Sequence, residues 1–206
     1  MNRKEALKTI AALGISAVLP FGLGSFTVKS KRQQEKNYII AFGDGACRLI
    51  SNYSFNNSDV IAVNSNYYGN ANIFIKTPNY RNTLKYSEFS NKISIPEELK
   101  EILLKKDNFL LLSGLGGATG SFLIKKSAEF LKHHNKNFRI VCSLPFKFEG
   151  NKRNILAQNT LFFLNNYGNV KYLDLEKLRL QTGNTTIKEA FENADKSLSR
   201  IVNKIL

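Results

Sequence analysis

The stretch "NFLLLSGLGGATGSFLIKKSAEFLKHH", residues 108–134, constrains the fold more than any other part of this chain. A wholly apolar run, Phe109 to Leu112, stops at a glycine-rich segment and passes directly into a helical pattern. An uninterrupted apolar strand is expected where both faces of a parallel sheet are covered. The alternation recurs along the chain. "NYIIAF" ends at "GDGA", after which "CRLISNY" reads as helical, and "DVIAVN" and "NIFIKT" read as strands. "PEELKEILLKKD" opens with Pro96 at a helix N-terminus and sets Leu99, Ile102 and Leu103 on one face. "FRIVCSL" reads as a strand, "NILAQNTLFFLNNYG" as a helix and "NVKYLDL" as a strand. The last helix opens at Thr186, with Glu189 at the capping-box spacing. Ile187, Ala190, Phe191, Ala194, Leu198, Ile201, Val202 and Ile205 form its apolar stripe. This order predicts an α/β fold over residues 37–206: a Rossmann-like three-layer sandwich with a mainly parallel sheet.

The composition is that of a globular domain, with 206 residues, 43% hydrophobic and 22% charged. The net charge is +14. The first 36 residues carry seven Lys or Arg against two Glu, which leaves +9 on the remainder. A basic balance favours anionic partners, although Lys125, Lys126 and Lys132 read as a solvated helix face. No base-stacking pattern accompanies the charge, so a nucleic-acid reader is not indicated. Cys47 and Cys142 lie in separate apolar segments and read as buried free thiols. No His, Cys and acid spacing indicates a metal.

Residues 1–36 read as a separate segment. "MNRKEALK" is followed by an uncharged stretch from Thr9 to Val28 and a basic linker. This pattern resembles a bacterial export signal of relaxed twin-arginine type, with Lys4 in place of the second Arg. Pro20 and three glycines make a poor spanning helix. A third reading is a helix from Arg3 to Leu19 lying on an anionic leaflet, with Arg3, Lys4 and Lys8 at the headgroups; membrane association is favoured over a buried N-terminal helix. The expected localisation is membrane-associated with the following domain on the cytoplasmic side; the alternative is periplasmic after twin-arginine-type export.

Ligands of such sheets bind at the carboxyl ends of the strands. Two glycine-rich segments fall there, "FGDGA" (42–46) and "SGLGGATG" (113–120), and each leads into a helix. Glycines let the backbone approach a phosphate, and a helix N-terminus supplies N–H donors and a positive dipole end. The segments read as an anion cradle built on Gly43, Gly45, Gly114, Gly116, Gly117, Ala118, Thr119 and Gly120. No G-x-x-x-x-G-K-[ST] loop is present.

Three motifs in order narrow the reading. They are "SGLGGATGS", "PFKFEGNKR" with Pro145, Phe146, Phe148, Glu149, Gly150 and Arg153, and "AFENAD" with Ala190, Phe191, Ala194 and Asp195. Together they resemble the nucleotide-binding domain of the tubulin/FtsZ family. The resemblance implies a guanine nucleotide, GTP or GDP with or without Mg²⁺, on the glycine cradle. It further implies Glu149 at the ribose, Arg153 beside the nucleotide, Phe191 stacked on guanine and Asp195 accepting from the base. Plainer readings exist for several of these: a surface pair for Glu149 and Arg153, core packing for Phe191 and an N-cap for Thr119.

The departures from the family pattern are equally specific. "GDGACR" replaces a nearly all-glycine loop that ends in Asn, and it sets Asp44 among phosphate-binding amides, a repulsive position unless Mg²⁺ or Arg48 offsets it. Leu175 stands where an Asn would contact guanine, and Phe122 replaces a small residue. The sequence ends at Leu206, where the family's catalytic loop would follow. The expectation is therefore an FtsZ-like guanine-nucleotide-binding protein that regulates or joins a filament and has no catalytic residue of its own. The alternative is an exported or membrane-attached module that kept the fold and lost nucleotide.

Overall fold

The computed structural model describes residues 36–66, 69, 71–80, 93–167, 169–183 and 185–206. The export-signal and membrane-surface readings of residues 1–36 lie outside these, apart from Lys36, as does much of the Asn- and Tyr-rich connection after β2. Among the described residues no helix is long and apolar enough to cross a membrane.

The elements, in chain order, are β1 (Asn37–Phe42), α1 (Gly43–Asn52), β2 (Ser58–Asn64), β3 (Ile73–Lys76), α2 (Glu97–Lys105) and β4 (Phe109–Gly114). Then come α3 (Ala118–His133), β5 (Phe138–Leu144), a 3₁₀ turn (Lys147–Glu149), α4 (Asn151–Asn165), β6 (Val170–Asp174), α5 (Leu175–Thr182) and α6 (Ile187–Ile205). Six parallel strands form one sheet in the order β3-β2-β1-β4-β5-β6.

Strand side chains alternate between two layers, as the pleat requires. Ile40, Phe42, Phe109, Leu111 and Ile140 face a core with Leu99 and Leu103 of α2, Leu123 and Leu131 of α3, and Leu161 and Leu164 of α4. Ile39, Ala41, Leu110, Leu112 and Val141 face the other layer, against Cys47, Leu49 and Ile50 of α1 and Leu198 and Val202 of α6. Covering both faces explains the unbroken apolar run of β4. Arg139 ties the end of α6 to the sheet by donating to the Ile205 carbonyl and, at 3.0 Å, to Asn37 Oδ1.

Asparagines turn the chain into three strands. Asn57 and Asn108 stand immediately before β2 and β4, and Asn135 stands three residues before β5; all three have positive φ. Asn tolerates this region because its short side chain can bond locally.

Two boundaries differ from the sequence expectation. The "GDGA" segment is already the first turn of α1, so no loop separates β1 from its helix. Helix α5 was not expected at all; Asp174 caps it by accepting from the Lys177 N–H at 3.1 Å. The capping box at the start of α6 is as expected, with Thr186 Oγ1 accepting from Glu189 N and Glu189 accepting from Thr186 N.

Candidate functional site

The strand order reverses between β1 and β4, and the two glycine-rich segments leave the sheet at the carboxyl ends of these neighbours. That reversal is the crevice where open α/β sheets take ligands. A Cβ on Gly43 would lie 3.1 Å from the Gly120 amide nitrogen and 3.3 Å from its Cα. A Cβ on either Gly45 or Gly114 would lie 3.7 Å from the other's Cα. The four glycines therefore let two backbones touch.

Each segment contains a helix N-terminus without a side-chain cap, α1 at Phe42 and α3 at Gly117. The first-turn N–H groups of Ala118, Thr119 and Gly120 have no partner within α3. Two positive dipole ends meet at one place, an arrangement suited to phosphate oxygens. Thr119 is the second residue of α3 and not its cap, so the plainer reading of that residue does not hold. Phe122 packs into the core, which keeps its ring out of the cradle.

The 114–120 segment is held open by specific contacts. Ser121 Oγ, fully buried, accepts the Gly116 N–H at 2.8 Å. Gly116 has φ +92°, and a Cβ there would lie 2.7 Å from the Arg153 carbonyl oxygen. Arg153 donates through Nη1 to Glu149 Oε2 at 2.7 Å and through Nε to the Gly116 carbonyl at 3.4 Å. Glu149 Oε1 accepts the Phe146 N–H at 2.9 Å. The pair is thus a strut between α4 and the glycine segment and more than a surface pair. Asp44, in the first turn of α1, accepts from Nδ2 of buried Asn64 at 2.8 Å.

Phe191 and Asp195 form the other end of the crevice. Phe191 is half-buried, its ring edge-on to Phe146 at 5.1 Å and to Phe148 at 6.4 Å. Phe146, Leu175, Ala190 and Ala194 make a small apolar cluster behind it, where Leu175 offers packing and no hydrogen bond. Asp195 is 5% exposed. Both its oxygens accept from Arg48 of α1, Oδ2 from Nε at 2.9 Å and Oδ1 from Nη2 at 3.0 Å. The Arg48 guanidinium carbon lies 4.8 Å from the centre of the Phe191 ring. Beneath this end Glu176 accepts the Lys147 N–H at 3.1 Å and Nη2 of Arg179 at 2.7 Å. The Arg179 guanidinium, with the Lys147 amide second, holds the Glu176 carboxyl below the usual carboxylate range.

Contacts join Gly43 to Gly120, Gly45 to Gly114, and Glu149 through Arg153 to Gly116, while Phe191 and Asp195 meet Arg48 of α1. Arg48, Ser121 and Asn64 were not expected in these roles. Among the described residues no three His, Cys, Asp or Glu side chains gather as metal ligands. Cβ atoms at Gly43, Gly116 and Gly120 would strike neighbouring protein atoms, so glycine is what lets the two segments and α4 pack this closely beside the uncapped helix N-termini. The Asp195 and Phe191 end fits a planar group with two adjacent donors, because it already holds one.

No family model matches the chain. The cell division protein FtsZ of Mycoplasmopsis pulmonis is 31% identical to it over 109 residues, 52% of this chain and 28% of that protein. FtsZ of Aquifex aeolicus is 32% identical over 112 residues, 53% of this chain and 30% of that protein. The matches therefore span less than a third of these curated relatives. Among solved structures, an empty FtsZ dimer of M. jannaschii aligns with a TM-score of 0.68 at 19% identity, covering 98% of this chain and 58% of that one. GDP-bound CetZ1 from Haloferax volcanii aligns at 0.63 and 19% identity, covering 79% and 57%. TubZ of Clostridium botulinum phage c-st aligns at 0.61 and 14% identity, covering 82% and 58%. The described residues carry the GTPase-domain fold of the tubulin/FtsZ family, of which the chain is a partial relative.

Proposed function

We propose that this chain binds a guanine nucleotide in the crevice between β1 and β4 and works as a regulator or component of an FtsZ-like filament. The observation that carries the reading is the convergence of two uncapped, glycine-rich helix N-termini at the topological switch point, with Gly43 and Gly120 in backbone contact. The phosphates would lie on the N–H groups of residues 43–45 and 117–120. Phe191 and Asp195 would take the base, and Glu149 and Arg153 would flank the sugar. Mg²⁺, when bound with the nucleotide, would offset phosphate charge.

A regulatory role is favoured over self-sufficient turnover by the state of the carboxylates around the crevice. Asp44, Glu149 and Asp195 each already accept side-chain hydrogen bonds. A water-activating base is typically worth roughly 10²–10⁴-fold in rate. Phosphate release from GTP by the chain alone should therefore stay near background. Filament association is supported by the CetZ and TubZ neighbours, of which CetZ2 from Haloferax volcanii and TubZ of Bacillus thuringiensis serovar israelensis were solved as protofilaments. The N-terminal segment is proposed as a membrane-surface anchor, and deletion of residues 1–30 should move the protein from the membrane to the soluble fraction.

The direct test is the nucleotide content of protein purified from cells and heat-denatured. Near-stoichiometric GDP or GTP is the expected result. Protein that is nucleotide-free and that also fails to take up added GDP would overturn the reading.

A further inference from the structure

The contact between Arg48 and Asp195 joins the first helix of the domain to the last, 147 residues apart. Its two parallel N–H bonds cover both carboxylate oxygens, and the guanidinium carbon stands 4.8 Å from the Phe191 ring centre. The acceptors belong to the rigid side of the pair. The Asp195 side chain is 7% exposed on a helix packed into the core, whereas the Arg48 side chain is 42% exposed. Phe191 is braced edge-on by Phe146, which is fully buried. The fold presents here a fixed seat, a two-oxygen acceptor beside an aromatic ring, with a movable plug.

The shape of the plug defines what else the seat can take. A guanidinium offers two adjacent N–H donors on one edge of a planar group. The edge of guanine that carries its ring N–H and its exocyclic amino group offers the same pair. Adenine sets an acceptor beside its amino group on the corresponding edge, so one carboxylate oxygen would face a lone pair. Bidentate donation to a carboxylate is strong and geometrically selective, and the ring adds attraction for either planar group.

We propose that Arg48 is an internal competitor for the base seat. Its guanidinium holds Asp195 and Phe191 until a guanine base displaces it, so Arg48 sets both the affinity and the selectivity of the site. The proposal rests on the reading that the neighbouring cradle takes a guanine nucleotide. The apparent affinity is the intrinsic one multiplied by the fraction of molecules in which the seat is open. A pair that served only to tie α1 to α6 would affect stability and leave ligand affinity alone.

The test uses the full chain with Arg48→Ala and Arg48→Lys. Arg48→Lys keeps a cation beside the buried carboxylate and protects the fold, but it lacks the planar fork. Calorimetric titration with GDP and ADP should show GDP binding at least about tenfold tighter to Arg48→Ala than to wild type. Arg48→Lys should fall between, and ADP should be unchanged. Millimolar methylguanidinium, but not methylammonium, should raise the melting temperature of Arg48→Ala and compete with GDP. GDP affinity equal to or below that of wild type in both variants would overturn the competitor role and leave the nucleotide reading standing. Absence of GDP binding in wild type and both variants would overturn the nucleotide reading and this proposal together.

Discussion

Gly116 is the position where the geometry of the cradle is most exposed to a single methyl group. Its φ of +92° is one that L side chains rarely adopt, and a Cβ would lie 2.7 Å from the Arg153 carbonyl oxygen and 3.2 Å from its carbonyl carbon. The backbone conformation alone costs a non-glycine residue roughly 1–2 kcal/mol. Relief of the clash must move the first turn of α4, because the opposing atoms are main chain, and overpacking of that kind typically costs about 1–3 kcal/mol. Gly116→Ala should therefore lose about 2–5 kcal/mol. At roughly 2–4 °C per kcal/mol for a domain of this size, the melting temperature falls by about 4–20 °C.

Gly117 is the matched control. Its backbone, at φ −91° and ψ 148°, is open to any residue. A Cβ there meets only the end of the Arg153 side chain at 3.6 Å. The weaker N-cap and the reduced freedom of the unfolded chain oppose one another, so Gly117→Ala should stay within about 1 kcal/mol of wild type. Thermal and urea unfolding followed by circular dichroism measure both. A Gly116→Ala protein that melts within about 2 °C of wild type would refute the argument, since neither term would then be present.

Three further outcomes rest on groups that the fold buries or hydrogen-bonds. Desolvation pushes the Cys47 and Cys142 thiols up to about 12; both should resist a thiol reagent at pH 8 in the native protein and react fully in denaturant. Glu176 titrates below its ordinary 4.5, chiefly through Arg179. Its contribution to stability is present above that value and lost as pH falls through the folded one. The stability advantage of wild type over Glu176→Gln should hold at pH 6 and shrink towards pH 3, and an advantage independent of pH would contradict the assignment. Ser127 is fully buried in α3, and its hydroxyl has no hydrogen-bond partner among the described residues. Ser127→Ala should raise the urea midpoint, by an amount corresponding to roughly 1 kcal/mol.

The strands were legible because each is a short, largely apolar run with an Asn at or immediately before its first residue. The parallel topology could be read from the helices between the strands, and the glycine cradle from two such runs ending in glycine. Helix α5 was missed because "YLDL" reads as one apolar alternation. The signal that divides it is Asp174, whose side chain caps the first turn of α5. The role of Ser121 has no local pattern, since it depends on the chain folding back five residues to Gly116. Asp44 looked repulsive by sequence; its partner Asn64 comes from the neighbouring strand β2, twenty residues on. By sequence Arg48 was only a charge that could offset Asp44. Only the packing of α6 across the sheet brings Asp195 to it, and no spacing rule encodes a contact over 147 residues.

The central claim is that the crevice selects guanine nucleotides. A thermal-shift titration of the full chain with GDP, GTP and ATP tests it most directly. Ligand at about a hundred times its Kd stabilises a native state by ~2.7 kcal/mol, or about 5–11 °C here. The account predicts such a shift with GDP and GTP and a clearly smaller one with ATP, with the difference abolished in Asp195→Ala. No shift with either guanine nucleotide at millimolar concentration, or equal shifts with all three, would contradict it.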